Sequence, residues 1–162
     1  MNQNNLTAKQ VIVDEVVEKA KANNAMIVFE YRGLTVRKIS ELRKILRENN
    51  AEMAIYKNSL VERAAEKLGK PELNEMLTGP NAFVFSNDVI NGPNIIRKFA
   101  IKNDQVVIKG GLIEGRVVDA ESVKTIAKLP GREGLISMFL SVLNAPVRQF
   151  AATVKAVADA QN

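Results

Sequence analysis

Residues 25–36 read AMIVFEYRGLTV, and residues 51–60 read AEMAIYKNSL. Both stretches place a short apolar strand before a tyrosine and a cation, and Thr35 and Ser59 then stand where a helix N-cap is expected. Cations beside the free N–H groups of a helix N-terminus form an anion site. The first half of the chain therefore predicts two strand-turn-helix units, each with an anion-binding turn.

The residue types in the chain limit the chemistry that it can perform. Its 162 residues include no Cys and no His, so disulfides, thiolate metal sites, Cys nucleophiles and His bases are not available. No two carboxylates are placed to work as an acid and a base. We expect a binding protein that needs no cofactor and no metal. The polar N-terminus and the lack of a long uncharged apolar run favour a soluble, cytoplasmic protein without a membrane segment.

The excess positive charge is concentrated in one part of the chain. The net charge is +5, and residues 32–63 hold eight cations against four anions. In the helix of the first unit, Arg37, Lys44 and Arg47 share one face and Arg43 lies at its edge. This basic ridge favours a polyanion partner. An equally weighted alternative is a solvated helix face with intrahelical ion pairs.

Two tyrosines, Tyr31 and Tyr56, end the two predicted strands. Either ring could stack on a nucleic-acid base, or it could fill the core at the end of its strand. The residues themselves leave both readings open.

Helices and strands alternate over the first 130 residues. The patterns predict helices at residues 8–22, 35–49, 59–68, 71–77, 94–102 and 119–128, and strands at residues 25–30, 53–56, 82–85 and 106–108. Thr7 and Asp119 are expected N-caps. Gly110-Gly111 is expected to form a bulge or bend, and residues 114–116 a turn. This order predicts an α/β domain over residues 1–130, with helices flanking a mixed sheet.

The pattern changes at Pro130-Gly131, a natural break. Residues 131–162 show helical patterns only and predict a hinged helical arm, apolar on all sides over residues 134–144. Beyond Pro146 an apolar stripe at helical spacing follows, formed by Val147, Phe150, Val154 and Val157. The arm could dock on the chain's own body, hold partner chains or lie on a membrane surface, and the break favours partner chains.

Taken in order, the motifs of the chain resemble those of the bacterial ribosomal stalk-base protein, the tenth protein of the large ribosomal subunit. The resemblance spans essentially the whole chain, and the ordered set is more specific than any one motif. Its carriers are YRGLTV at residues 31–36, Leu42-Arg43, YKNSL at 56–60 with Arg63-Ala64, GPNA at 79–82, KGG at 109–111, Leu129-Pro130 and the two-part tail.

This resemblance implies a role in translation. Residues 1–130 would bind large-subunit ribosomal RNA, next to an adjacent ribosomal protein at the stalk base. Residues 131–162 would anchor dimers of the acidic stalk protein, which recruit translational GTPases. The arm is shorter than in some family members, which favours two dimers over three. The family implies a protein that is not an enzyme and that can repress its own messenger RNA through a leader resembling the ribosomal site.

Specific residues follow from the charge pattern and the matched motifs. The expected RNA-binding residues are Arg32, Gly33, Thr35, Arg37, Arg43, Arg47, Lys57, Asn58 and Ser59. The expected partner-binding residues of the arm are Val147, Phe150, Ala151, Val154, Val157 and Ala158.

Two other functions compete with this interpretation. A small α/β enzyme or ligand-binding domain that dimerises through its C-terminal helices would need a pocket with convergent titratable groups, and the lack of His and Cys counts against it. A DNA-binding regulator would need a recognition helix and usually two-fold symmetry, and no clear helix-turn-helix pattern is present. We therefore predict a non-catalytic scaffold that is located on cytoplasmic ribosomes.

Overall fold

The computed structural model of the chain describes residues 3–160, which fall into two compact units. The first unit, here called the body, comprises residues 3–129, and the second, the arm, comprises residues 130–160. The body contains the elements α1 (Gln3–Ala22), β1 (Ala25–Glu30), α2 (Val36–Glu48), β2 (Ala51–Ala54), α3 (Asn58–Lys67), a 3₁₀ helix (Pro71–Met76), β3 (Asn81–Ser86), α4 (Asn91–Lys102), β4 (Val107–Ile113), β5 (Arg116–Asp119) and α5 (Ala120–Ile126).

The five strands form one sheet in the order β2-β3-β1-β4-β5, and every pairing within residues 3–160 is antiparallel. Since β1 and β2 both pair antiparallel to β3, they run in the same direction with β3 between them. The carboxyl ends of β1 and β2 therefore lie at the same end of the sheet, where β3 begins. The predicted α/β architecture with flanking helices is confirmed, but the sheet was predicted to be mixed and its described pairings are all antiparallel.

Helices cover both faces of the sheet because the strands are apolar on both sides. On one face Ile27, Phe29 and Val84 pack with buried residues of α2, α4 and α5, among them Leu42 and Ile96. On the other face strand residues such as Val28, Phe83 and Phe85 pack with α1, α3 and the 3₁₀ helix. The buried core thus fixes α2 on one side of the sheet and α3 on the other.

The start of the chain and the second strand differ from the sequence-based prediction. α1 begins at Gln3, so Thr7 lies within the helix and is not its N-cap. β2 covers Ala51–Ala54 instead of residues 53–56, because it pairs from Ala51 with Ser86 to Ala54 with Phe83. Ile55, beyond the strand, is exposed.

Three other local predictions have mixed outcomes. Ser59 is not an N-cap, because the cap position of α3 is Lys57 and its side chain makes no capping hydrogen bond. The Asp119 cap is confirmed, since its side chain accepts from the Ser122 N–H. The predicted turn at residues 114–116 is shorter, because Glu114 and Gly115 alone form it and β5, which the sequence analysis missed, begins at Arg116.

The predicted bulge at Gly110-Gly111 is confirmed. Phe29 of β1 pairs with Ile108 and Val28 pairs with Gly110, so Lys109 is the extra residue of β4. Gly110 has a φ of +148°, which few other residues adopt. The bulge gives Lys109 a position that regular strand pairing would not provide.

The arm consists of α6 (Arg132–Leu143) and α7 (Ala145–Ala160), and the chain bends by 50° between residues 143 and 148. Pro146 lies in the first turn of α7, where a missing N–H costs no helical hydrogen bond. Within residues 3–160 no single helix is long and apolar enough to cross a membrane, and α6 with α7 would meet that criterion only as a bent pair.

Candidate nucleic-acid interface

The first turn connects the end of β1 to α2. It closes through the Leu34 N–H, which donates to the Tyr31 carbonyl at 3.1 Å. Gly33 adopts a φ of +84°, a conformation that a side chain would strain. Thr35 caps α2, as predicted, and its hydroxyl oxygen accepts from the Lys38 N–H at 3.5 Å. Arg32 is exposed beside this helix start.

The second turn connects β2 to α3. The Asn58 side-chain amide donates to the Leu77 carbonyl at 2.6 Å and to the Gly79 carbonyl at 2.8 Å. Lys57 and Ser59, on either side of Asn58, are exposed. Asn58 is thus tied to the protein by its amide, whereas its two neighbours face solvent at the start of α3.

A segment from another part of the chain joins the two turns. Its Gly79 carbonyl holds the second turn through Asn58, and its Pro80 carbonyl accepts from the Tyr31 N–H of the first turn at 3.4 Å. Residues 78–80 therefore contact both turns just before β3 begins. This arrangement brings the first and second turns, remote in sequence, to one end of the sheet.

The bulge residue Lys109 supports the same segment. Its ammonium group pairs with the Glu30 carboxylate at 2.9 Å and donates to the Thr78 carbonyl. The side chains of Lys109 and Glu30 are only 17 % and 22 % exposed. Sequence reasoning missed Lys109 as a site residue, although the KGG motif at residues 109–111 was among the resemblance carriers.

The basic ridge on α2 faces solvent. Arg37, Arg43, Lys44 and Arg47 are all exposed, while Leu42 and Leu46 on the opposite side are buried. Arg37 pairs with Glu41 at 3.6 Å, as the solvated-face alternative expects. Within residues 3–160, however, no carboxylate pairs with Arg43, Lys44 or Arg47, nor with Arg32 or Lys57 of the two turns. These cations remain available for an anionic partner.

Tyr56 belongs to the core and not to the exposed surface. Its ring lies 6.2 Å from that of Phe83 and 6.5 Å from that of Phe85. Its hydroxyl donates to the Glu15 carboxylate of α1 at 2.9 Å. Burial raises the pKa of Tyr56, and the hydrogen bond to Glu15 raises it further. Of the two readings of this tyrosine, core packing agrees with its contacts. Tyr31 is half-buried against the α2 side of the core.

The contacts of Tyr56 belong to a polar cluster that joins α1 to β2. Lys19 lies 2.7 Å from the Glu52 carboxylate and 3.0 Å from that of Glu15. The hydrogen bond to Glu52 is the main reason why the pKa of Lys19 is raised. The pKa of Glu15 is lowered, first by the hydrogen bond from Lys19 and then by that from Tyr56. This cluster links α1 to β2 on the side of the sheet away from α2.

The arm presents apolar side chains to solvent. Phe150 is 72 % exposed and Val154 is 53 % exposed, and Ala151 between them is also exposed. The side chains of Val147, Val157 and Ala158, three further predicted partner-binding residues, lie outside the described part of the chain. On α6 the residues Ile136, Met138, Phe139, Leu140, Val142 and Leu143 are exposed as well.

The arrangement is suited to binding phosphate groups. Two helix starts and unpaired guanidinium and ammonium groups provide hydrogen-bond donors and positive charge, which are what phosphate oxygens accept. Among the described residues no three His, Cys, Asp or Glu side chains are close enough to hold a metal ion.

Comparisons with known proteins all match the chain to one ribosomal protein family. Residues 4–100 match the family model of ribosomal protein L10, and residues 129–162 match that of the ribosomal protein uL10 C-terminal region. The large ribosomal subunit proteins uL10 of Bacillus cereus (strain B4264) and Bacillus anthracis (strain A0248) are each 52 % identical to the chain over 155 residues. Each alignment covers 95 % of this chain and 93 % of the relative.

Proposed function

The chain belongs to the ribosomal protein L10 family, and from that premise we propose that it is the rRNA-binding and partner-anchoring base of the ribosomal stalk. It is a structural constituent of the large ribosomal subunit in the cytoplasm, and it is not an enzyme. The proposal divides the work between the body, which binds RNA, and the arm, which holds partner chains.

The body binds large-subunit rRNA at the end of the sheet where the two turns meet. The observation that carries this proposal is that residues 78–80 hold both turns, so that Arg32 and Lys57 lie beside two helix starts at one end of the sheet. Arg43 and Arg47 extend the positive charge along α2. Gly33 has no side chain to keep a phosphate away from the backbone. An adjacent ribosomal protein would then contact the body beside this RNA.

Filter binding of the full chain to transcribed large-subunit rRNA tests this surface, with small-subunit rRNA as the competitor. We expect the triple variant Arg32→Glu, Arg43→Glu and Lys57→Glu to bind much more weakly. The slope of log affinity against log salt should fall by roughly 0.7–0.9 for each phosphate contact that is lost.

A matched control carries the same change in charge elsewhere on the body. Lys9, Lys21 and Arg116 are exposed, and Lys21 and Arg116 lie near the opposite end of the sheet from the two turns. Reversal of these three cations should leave specific affinity close to that of the wild type. Equal losses in the two triple variants would mean that the body attracts RNA by net charge alone, and the proposed surface would be wrong.

The arm anchors two dimers of the acidic stalk protein, which in turn recruit translational GTPases. α7 has 16 residues and so extends over about 24 Å, which accommodates two side-by-side docking sites and is short for three. The exposed Phe150 and Val154 would be buried by these partners. Native mass spectrometry of the co-expressed complex should show four partner copies per chain. Six copies, or none, would contradict this proposal.

The same RNA surface supports a proposal for regulation. A messenger-RNA leader that copies the rRNA site would compete for Arg32 and Lys57, so free protein would repress its own synthesis. Competition between the leader transcript and the rRNA transcript, and its loss in the triple charge-reversal variant, is the test. If one chain binds the leader and the rRNA at the same time, the leader does not use the rRNA site and the proposed regulation is wrong.

A further inference from the structure

A groove on the body lies between α4, α5 and the start of β4, near the first turn, because Val107 in its floor pairs with Glu30 at the end of β1. Its volume is about 440 Å³. The floor consists of the aliphatic residues Ala100, Ile101, Val106, Val107 and Ile108, and the rim carries Arg97, Lys124 and Lys128. None of these residues was predicted as a site residue, and the RNA surface proposed above uses none of them.

Two of the aliphatic side chains in this groove are unusually accessible. Ile101 is 67 % exposed and Val107 is 53 % exposed. Single exposed aliphatic residues are common on protein surfaces. Two of them in one concave site with an aliphatic floor instead form an apolar patch that is suited to binding.

All the charged residues that line the groove are cations. Within residues 3–160 no carboxylate pairs with Arg97, Lys124 or Lys128. α4 contains no acidic residue, and none of the residues that line the groove is acidic. A complementary ligand must therefore combine an apolar side with negative charge at its edges.

We propose that this groove binds an acidic amphipathic helix of a partner protein. Leu or Ile side chains of that helix would cover Ile101 and Val107, and its Glu or Asp side chains would meet the three cations at the rim. α4 has 12 residues and extends over about 18 Å, which is enough to hold about three turns of a partner helix.

The aliphatic floor favours a protein partner over RNA. A nucleic acid would use the three cations, but it would leave Ile101 and Val107 without a complementary surface, and no aromatic side chain in the groove offers a stacking platform. The groove and the proposed RNA surface share no residue, so variants in each can be tested separately.

Fluorescence anisotropy of the full chain with a labelled peptide tests the proposal. The probe is a 16-residue peptide with Leu at positions i, i+3, i+4 and i+7 and Glu at most other positions. A scrambled peptide of the same composition has the same charge but no apolar face. We expect saturable binding of the amphipathic peptide and much weaker binding of the scrambled one.

Variants locate the binding to the groove. Ile101→Ser should weaken peptide binding roughly tenfold, as expected for a central apolar contact. Lys124→Glu should weaken it several-fold, mainly through slower association. Ile45→Ser on α2 and Lys21→Glu on α1 are the matched controls, since both residues are exposed outside this groove. These two controls should bind the peptide as the wild type does.

Several outcomes would overturn the inference. It is wrong if the two peptides bind equally well, if the amphipathic peptide does not bind the wild type, or if Ile101→Ser binds that peptide as tightly as Ile45→Ser does. If Lys124→Glu lowers rRNA affinity and leaves peptide affinity unchanged, the rim cations belong to an RNA surface. If Ile101→Ser changes the oligomeric state of the chain, the occupant is a second copy. If the wild-type chain does not bind rRNA, the RNA proposal is rejected and the peptide-groove proposal is unaffected.

Discussion

Glu30, the last residue of β1, and Lys109, the bulge residue of β4, form an ion pair of 2.9 Å beneath the segment that holds both turns. Lys109 also donates to the Thr78 carbonyl. A β-carbon at Gly79 would lie 3.5 Å from both the Glu30 carboxylate and the Lys109 ammonium. The pair therefore packs directly against the backbone that sets the distance between the first and second turns.

Replacement of Lys109 by Met should lower the free energy of unfolding by about 2 kcal/mol, because a largely buried Glu30 carboxylate and the Thr78 carbonyl both lose a charged donor. Urea denaturation of the full chain measures this change. The double variant Glu30→Gln with Lys109→Met should recover part of the loss, since no uncompensated charge remains.

The exposed ion pair of Lys67 with Asp14, at 2.8 Å, is the matched control. Lys67→Met should cost less than about 0.5 kcal/mol, because solvent screens a pair whose side chains are more than half exposed. Equal losses for Lys109→Met and Lys67→Met would show that the Glu30–Lys109 pair has no special role.

Asn58→Ala should lower rRNA affinity about fivefold without changing the salt slope, because its amide holds the Leu77 and Gly79 carbonyls and does not need to touch a phosphate. Lys57→Ala should instead lower both affinity and slope. Filter binding over a range of salt concentrations distinguishes the two variants. A reduced slope for Asn58→Ala would mean that this amide contacts the RNA backbone directly.

The wild type should lose stability above about pH 10 more steeply than Tyr56→Phe does. Burial and the hydrogen bond to Glu15 raise the pKa of Tyr56, so the folded state binds this proton more tightly than the unfolded state. The resulting stabilisation is fully present below the unfolded pKa and is lost as pH rises through the folded value. Urea midpoints measured from about pH 8 to about pH 11 test this. If the urea midpoints of the wild type and of Tyr56→Phe fall in parallel as pH rises, the Tyr56 proton does not contribute to stability.

Truncation of Phe150 to Ala should cost roughly 2–4 kcal/mol of partner association, provided that this exposed ring is a central anchor. Lys155→Ala is the control, because Lys155 lies about 140° around α7 from Phe150. It should change mainly the association rate at low salt. Titration calorimetry with the acidic partner measures both, and a larger effect at Lys155 would place the docking face elsewhere.

Local signals in the sequence predicted much of the fold. Thr35 and Asp119 stand directly before amphipathic helices, and both cap them. Gly110-Gly111 indicated a bulge, and the strand register shifts there. Such features depend on a few neighbouring residues, so a single sequence carries the information.

Features that depend on distant pairing were not predicted. β2 is an edge strand whose limits follow from its pairing with β3, about thirty residues later. Lys109 reads as an ordinary surface lysine, and only the pairing of β4 with β1 brings it to Glu30. Asn58 likewise gains its role from the Leu77 and Gly79 carbonyls, which no local pattern connects to it.

The position of β3 between β1 and β2 affects the order in which the protein can become active during synthesis. β1, α2 and β2 leave the ribosome before β3 does. The strands β1 and β2 therefore lack β3, the strand that lies between them, until residue 86 has emerged. Until then the carbonyls of residues 77–80 cannot hold Tyr31 and Asn58 in place. A nascent chain therefore carries its cations early but acquires their arrangement late, so under the RNA-binding proposal an incomplete chain would bind RNA less well than the finished body.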